Sequence, residues 1–278
     1  MSWMTVARKD FQDARRSRVL WALSVVFLAL AAGVAGLYAF VPAITAEPGV
    51  STIGLLGFLA SPVTLFVAVA SVVVCYKSVA GETESGSGKL LLSLPHTRRD
   101  VILGKVVGRG LVLMVPVAVG LVLMLAVVFA GGVPFSPVNY AVFVAVTLFF
   151  ALVYVALFVG VSATTTSTTR AATISVLLLV VFEVAWDVVP LGAWFVASGF
   201  QVPSGFLAGN FGARPDWVAF LFQLPPSGAY QNAIGGFLSG SGRSDPFFLT
   251  SWFSLIVLAL WALVSLAVGY ARYRRADL

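Results

Sequence analysis

Val138-Asn139-Tyr140-Ala141-Val142-Phe143-Val144-Ala145-Val146-Thr147-Leu148-Phe149-Phe150-Ala151-Leu152-Val153-Tyr154-Val155-Ala156-Leu157-Phe158-Val159-Gly160-Val161 runs without a single charged side chain. At 1.5 Å rise per residue such a run crosses the roughly 30 Å hydrocarbon core of a bilayer as one helix. Apolar side chains lie on every side of that helix, so the neighbouring medium must itself be apolar. Five further runs read the same way, at 19–41, 53–76, 101–130, 171–189 and 250–270. The third is overlong and begins as an extension beyond the hydrocarbon, because Lys105 and Arg109 lie within it. Over the whole chain 60% of residues are apolar, 10% are charged and the mean hydropathy is +1.01. A water-soluble surface cannot be built from that composition. The expectation is an all-α membrane protein of one domain, 1–278, with six transmembrane helices.

The charges orient it. All but two of the 17 Lys and Arg fall before the first run, between the second and third or in the extended start of the third, between the fourth and fifth, or after the sixth. The two exceptions, Arg214 and Arg243, lie between the fifth and sixth runs. The positive-inside rule then places both termini and the 77–100 segment in the cytoplasm and the 190–249 segment outside, in a multi-pass protein of the cell membrane. The net charge of +6 is explained by this asymmetry, and no nucleic-acid partner is expected. The first run is about 23 residues long and follows a leader containing Asp10 and Asp13, which reads as a retained span rather than a cleaved signal.

Three segments are not simple spans. In 3–14, Trp3, Val6, Ala7, Phe11 and Ala14 recur at helical spacing while Arg8, Lys9, Gln12 and Asp13 occupy the rest, the pattern of an amphipathic helix. Membrane anchoring alone and a lever touching a cytoplasmic partner both fit. In 77–100, Glu82 and Glu84 precede Leu90-Leu91-Leu92-Ser93-Leu94-Pro95, and Arg98 and Arg99 follow. Acids suit a helix start and Pro95 its stop. Its leucines must be covered by the bilayer face or by a partner protein. The 190–249 segment is too apolar for a soluble domain, and Phe195, Phe200, Phe206, Phe211, Trp217, Phe220 and Phe222 suggest short helices or a hairpin dipping into the outer leaflet.

Residues for catalysis are scarce. One cysteine, Cys75, excludes an internal disulfide and reads as a small buried residue; with His96 as the single histidine, no metal-ligand cluster is expected. No phosphate-binding Gly-x-x-x-x-Gly-Lys-[Ser/Thr] occurs, so no catalytic residue and no cofactor is assigned to this chain. Within the spans, Glu183 and Asp187 stand four residues apart on one helix face. A charge at mid-bilayer costs roughly 2.5–3.5 kcal/mol, so both should face protein or a water-filled cavity. A translocation pathway and interhelical packing both remain open. Thr164 to Thr169 reads as a turn satisfied by its own hydroxyls.

The segments now assemble into a resemblance. Val6 to Arg18, running into the first span, resembles the N-terminal elbow helix of ABC-2-type transporter permeases. Glu82 to Pro95, then Arg98-Arg99 and Gly104-Lys105, is similar to their cytoplasmic coupling segment, and Leu224-Pro225-Pro226-Ser227-Gly228-Ala229-Tyr230-Gln231 to their Asn-Pro-x-x-Ala-Tyr-Arg element. The pattern looks most like the six-span permeases of copper-linked nitrous oxide reductase maturation systems. Ser87, Gly88 and Pro225 depart from the usual Thr, bulky apolar residue and Asn, and the coupling helix is expected to start late.

The resemblance implies a permease that pairs with a second permease copy, in a homodimer or heterodimer, above separate P-loop ATPase subunits that carry ATP and Mg. It implies that Glu82, Glu84, Gly86, Leu91, Leu92, Pro95, Arg98, Arg99 and Lys105 receive the ATPase stroke, together with the elbow residues Arg8, Lys9, Phe11 and Arg15. Glu183 and Asp187 are the candidate pathway residues. The expected function is the permease subunit of an ATP-binding-cassette exporter, not an enzyme. The alternative is an ion-coupled secondary carrier or another polytopic protein without an ATPase; carriers often show internal repeats, and no clear repeat is visible here. No residue identifies the cargo.

Overall fold

The computed structural model describes residues 3–15, 17–41, 51–86, 97–201, 214–239 and 246–275. Among them no strand forms. The helices in chain order are α1 (Trp3–Arg15), α2 (Arg18–Phe40), α3 (Thr52–Cys75), α4 (Ala80–Glu84), α5 (Arg98–Ala130), α6 (Pro137–Ala163), α7 (Thr168–Val180), α8 (Val188–Ala197), α9 (Asp216–Phe222), α10 (Pro226–Ser239) and α11 (Ser251–Arg275). Six stretches are long and apolar enough to cross a membrane: Leu20–Phe40, Thr52–Glu84, Arg98–Ala130, Pro137–Ala163, Thr168–Ala185 and Ser251–Arg275. These are the six spans expected from the sequence.

Local chemistry sets where the long helices begin. Ser51 accepts from the Gly54 amide at the start of α3, and Ser167 caps α7 through the Arg170 amide. Thr97 and Asp100 exchange side-chain and backbone hydrogen bonds in a capping box before α5. Ser136 caps α6, with Pro137 in the first turn, where a missing N–H loses nothing.

Helix α6 is the centre of the bundle and packs against α3, α5, α10 and α11. Phe143, Phe150, Tyr154 and Phe158 on it are fully enclosed. In lipid the helices gain little from hiding apolar surface, so small residues that admit close approach decide where they cross. A Cβ on Gly269 of α11 would stand 2.5 Å from the Gly160 carbonyl oxygen of α6, so the two backbones touch there. Outward, Trp21, Val122, Val184 and Trp252 remain exposed, as side chains turned toward lipid would be.

One expectation changes. The fifth run does not continue as one α-helix to 189: a π-turn at Val181–Ala185 interrupts it, and α8 starts after a further turn. Helix α4, which carries Glu82 and Glu84, ends at Glu84, and Gly86 beyond it holds a φ of 72° that a glycine adopts without strain; the coupling helix expected around the leucines falls in 87–96, outside the described residues. Leu91, Leu92 and Pro95 lie outside the described residues.

Candidate functional site

At the end of the bundle that carries most of the basic residues, α1 lies directly on α5. A Cβ on Gly104 would stand 2.6 Å from Cβ of Val6, and one on Gly108 would stand 2.8 Å from Cβ of Asp10. This Gly-x-x-x-Gly stripe lets the α1 backbone settle into α5. Val6, Ala7 and Asp10 therefore face protein, with Asp10 only 5% exposed. The apolar face of α1 is thus covered partly by α5, while Trp3 and Met4 stay exposed.

A carboxylate buried this far needs partners, and α5 supplies them. Lys105 Nζ donates to Asp10 Oδ1 at 2.8 Å and to Glu82 Oε1 at 2.5 Å. One turn on, Arg109 Nε lies 2.7 Å from Asp10 Oδ2, and its Nη1 donates to the Val74 carbonyl at 3.1 Å. Two carboxylates and two cations leave no net charge, the condition under which burial of ions is tolerable. A cavity of about 320 Å³ borders the group, between α1, the 77–85 segment and α5.

The α4 turn is fastened from its other side as well. Ser162 Oγ, at the end of α6, accepts from the Val79 and Ala80 amides at 3.1 Å each. The Thr168 amide and hydroxyl donate to Glu84 Oε2 at 3.2 and 2.5 Å. The Thr-rich turn is therefore only partly self-satisfied: Thr164 bonds the Val161 carbonyl and Thr165 accepts from the Ser167 amide, but Thr168 reaches α4. Arg98 Nη1 donates to the carbonyls of Tyr273 and Arg274 at the end of α11, and Arg99 Nε to the Tyr270 hydroxyl at 3.2 Å. The two guanidinium groups also stand over the Tyr273 and Tyr270 rings, at 5.6 and 5.5 Å. The start of α5 and the end of α11 are thereby joined.

The opposite end holds a larger cavity, about 570 Å³, lined by Glu183, Asp187, Arg214, Gln223, Ser227, Gln231 and Asn232 among others. Glu183 sits in the π-turn, half-buried, and accepts from the Tyr154 hydroxyl of α6. Asp187 is exposed. The amide wall is closely packed: Asn232 Nδ2, with two N–H donors, lies 2.9–3.0 Å from Gln223 Oε1, the Leu249 carbonyl and Ser254 Oγ. Arg214 lies 5.2 Å from the Phe222 ring centroid, and desolvation there lowers its pKa from the ordinary value. Helix α10 is drawn into the bundle rather than left at its surface. Tyr230 stacks on Phe150 at 4.4 Å, and its hydroxyl meets Thr147 Oγ1 at 2.8 Å. Among the described residues no three His, Cys, Asp or Glu side chains converge as metal ligands.

A family model described as "ABC-2 family transporter protein" matches residues 4–278. The chain belongs to the ABC-2 transporter family. The probable ABC transporter permease protein NosY of Stutzerimonas stutzeri is 37% identical over 116 residues, spanning 41% of this chain and 41% of that protein. The probable ABC transporter permease protein NosY of Pseudomonas aeruginosa is 27% identical over 276 residues, spanning 98% and 97%. With six helices able to span a membrane, this ABC-2 family member is a multi-pass membrane protein.

On this ABC-2 transporter, then, Lys105 and Glu82 are brought together, while Glu84, Arg98 and Arg99 bond α7 and α11 instead. Of the α1 candidates, Arg8 and Lys9 are exposed, Phe11 is half-buried and Arg15 is the last residue of the helix. Sequence reading passed over Asp10, Arg109, Ser162, Thr168 and Tyr154 as site residues. The signal for the first two was present in the Gly104/Gly108 spacing with Lys105 and Arg109 one turn apart.

Proposed function

We propose that the chain is the membrane-spanning permease subunit of an ATP-binding-cassette exporter in the cytoplasmic membrane. Its basic end and both termini face the cytoplasm. ATP and Mg are held by a separate P-loop ATPase, and a second permease copy completes the pathway. The observation that carries this reading is the junction at the basic end. There α1, α4 and the start of α5 meet in one largely buried ion group, and the leucine-bearing segment 87–96 joins α4 to α5 in the sequence. A push delivered to that segment reaches α4 within a few residues, and from α4 it reaches the two long helices α5 and α6. The relatives named as ABC transporter permeases support the same reading. The polar cavity with Glu183 and Asp187 is the candidate cargo pathway.

The test is retention of the ATPase. An interface with apolar anchors at its centre and charges at its rim is dominated by the anchors, each commonly contributing more than about 1 kcal/mol. Leu91→Asp and Leu92→Asp should each reduce co-purification of the ATPase with tagged permease by about tenfold or more, the equivalent of roughly 1.4 kcal/mol. Arg98→Ala, whose partners lie on α11, should reduce it only mildly. Full retention by both leucine variants removes the coupling role.

A further inference from the structure

We propose that Lys105 and Glu82 form the switching contact of a seam at the basic end, opened by the ATPase stroke while Asp10 holds α1 permanently on α5; this rests on the ATP-driven reading above. On one side of the seam, α1 and α5 are a single body. The glycine stripe leaves no room for a Cβ at Gly104 or Gly108, and Asp10 is within reach of both Lys105 and Arg109. On the other side, α4 is tied to the end of α6 by Ser162 and to the start of α7 by Thr168. The Lys105–Glu82 bond crosses between the two bodies.

Burial separates the bonds that Lys105 makes. All three groups line the 320 Å³ cavity, but the Asp10 and Lys105 side chains are only 6% and 5% exposed, against 24% for Glu82. Pulling Asp10 away would strand a carboxylate in protein and break a backbone contact. Moving Glu82 off Lys105 displaces a carboxylate that already meets water. Lys105 keeps Asp10 as a counter-ion in both arrangements, so the ammonium is never left unpaired in the protein. The two carboxylates on one cation thus have unequal tasks, one fixed and one movable. In this account α1 does not act as an independent lever; it rides with α5, and α4 is the element that moves against them.

The experiment is hydrogen exchange on the full permease with its ATPase in lipid nanodiscs, following segments 3–15 and 80–86. Without nucleotide, Glu82→Gln should raise exchange in 80–86 several-fold and leave 3–15 as in the wild type. Trapping the wild-type complex with ATP, Mg and vanadate should raise 80–86 to the same level, and trapping should add nothing to Glu82→Gln. Thr168→Ala, which removes an anchor within one body, should loosen 80–86 but keep its nucleotide response. That separates a switching contact from a merely structural one. A nucleotide effect that persists in Glu82→Gln, or one that loosens 3–15 as much as 80–86, overturns the proposal. Should no ATPase assemble with any permease, the functional reading fails, and the nucleotide-free comparison judges the seam alone: unchanged exchange in Glu82→Gln overturns it.

Discussion

Asp10 and Glu183 are both acids with partners inside the bundle, yet only one stood out in the sequence. Glu183 interrupts a run of apolar residues, and an acid there demands an explanation. Asp10 sits on a helix already rich in charge, and nothing in its own neighbourhood separates it from Asp13. Its burial is decided by Gly104 and Gly108, nearly a hundred residues away, which bring α5 against it. The consequence is measurable. Breaking a buried ion pair by removing one partner typically costs about 3–5 kcal/mol, so Asp10→Asn should lower the thermal unfolding temperature of the purified permease clearly. Lys9→Ala, at an exposed neighbouring position, should change stability by no more than about 0.5 kcal/mol. Equal effects of the two would contradict the buried network. For Glu183, the amide of Gln retains an oxygen to accept from Tyr154, so Glu183→Gln should alter stability by no more than about 1 kcal/mol. If Glu183 lines the pathway, the same variant should lose transport while keeping its fold and its ATPase. Normal transport would leave it a packing residue.

Among the elements, the six spans were readable, because length and hydropathy are local properties; the caps at Ser51, Thr97, Ser136 and Ser167 came only from the structure. The π-turn was not readable. Its i→i+5 pattern leaves no trace in apolar spacing, and in Val181-Phe182-Glu183-Val184-Ala185 only the acid hints that the helix is interrupted where a polar cavity begins. Nor was the burial of α10 readable as such. The aromatic content of 190–249 suggested helices at the bilayer interface, whereas Tyr230 and Ala233 are fully enclosed, Tyr230 by its stack on Phe150. The docking of α1 is likewise an element-level property, and it has its own test. Gly108→Leu should wedge α1 off α5, since even a Cβ at that site would lie 2.8 Å from Asp10 Cβ and 3.1 Å from the Ala7 carbonyl oxygen. Protease cleavage within residues 3–15 should then accelerate by tenfold or more in folded permease, while α6 and α11 stay protected. Unchanged protection of α1 would show that it is held by something other than α5.

At the scale of the whole molecule, the charge asymmetry of the sequence acquires a mechanical meaning. The positive-inside rule by itself counts basic residues loop by loop. In the folded chain those loops are fastened together: Arg98 grips the last turn of α11, Lys105 joins α1 to α4, and Thr168 joins α4 to α7. Four separate segments therefore cannot choose sides independently, and locating one locates them all. Glu84, Arg98 and the α11 end must then share a compartment, while the cavity bounded by Glu183, Gln231 and Asn232 lies toward the other end of the bundle. The prediction follows for single cysteines introduced into a Cys75→Ser background and probed on intact cells with a membrane-impermeant maleimide. Ser239→Cys, at the exposed end of α10, should label from outside, and Ser85→Cys, exposed beyond α4, should label only after the membrane is opened. Because Arg98 couples the tail to the same end, a cysteine at Arg274 should behave like Ser85→Cys. Labelling of Ser85→Cys but not of Ser239→Cys in intact cells would invert the whole arrangement. A split result between Ser85→Cys and the Arg274 position would instead break the bond between α5 and α11 on which the single orientation depends.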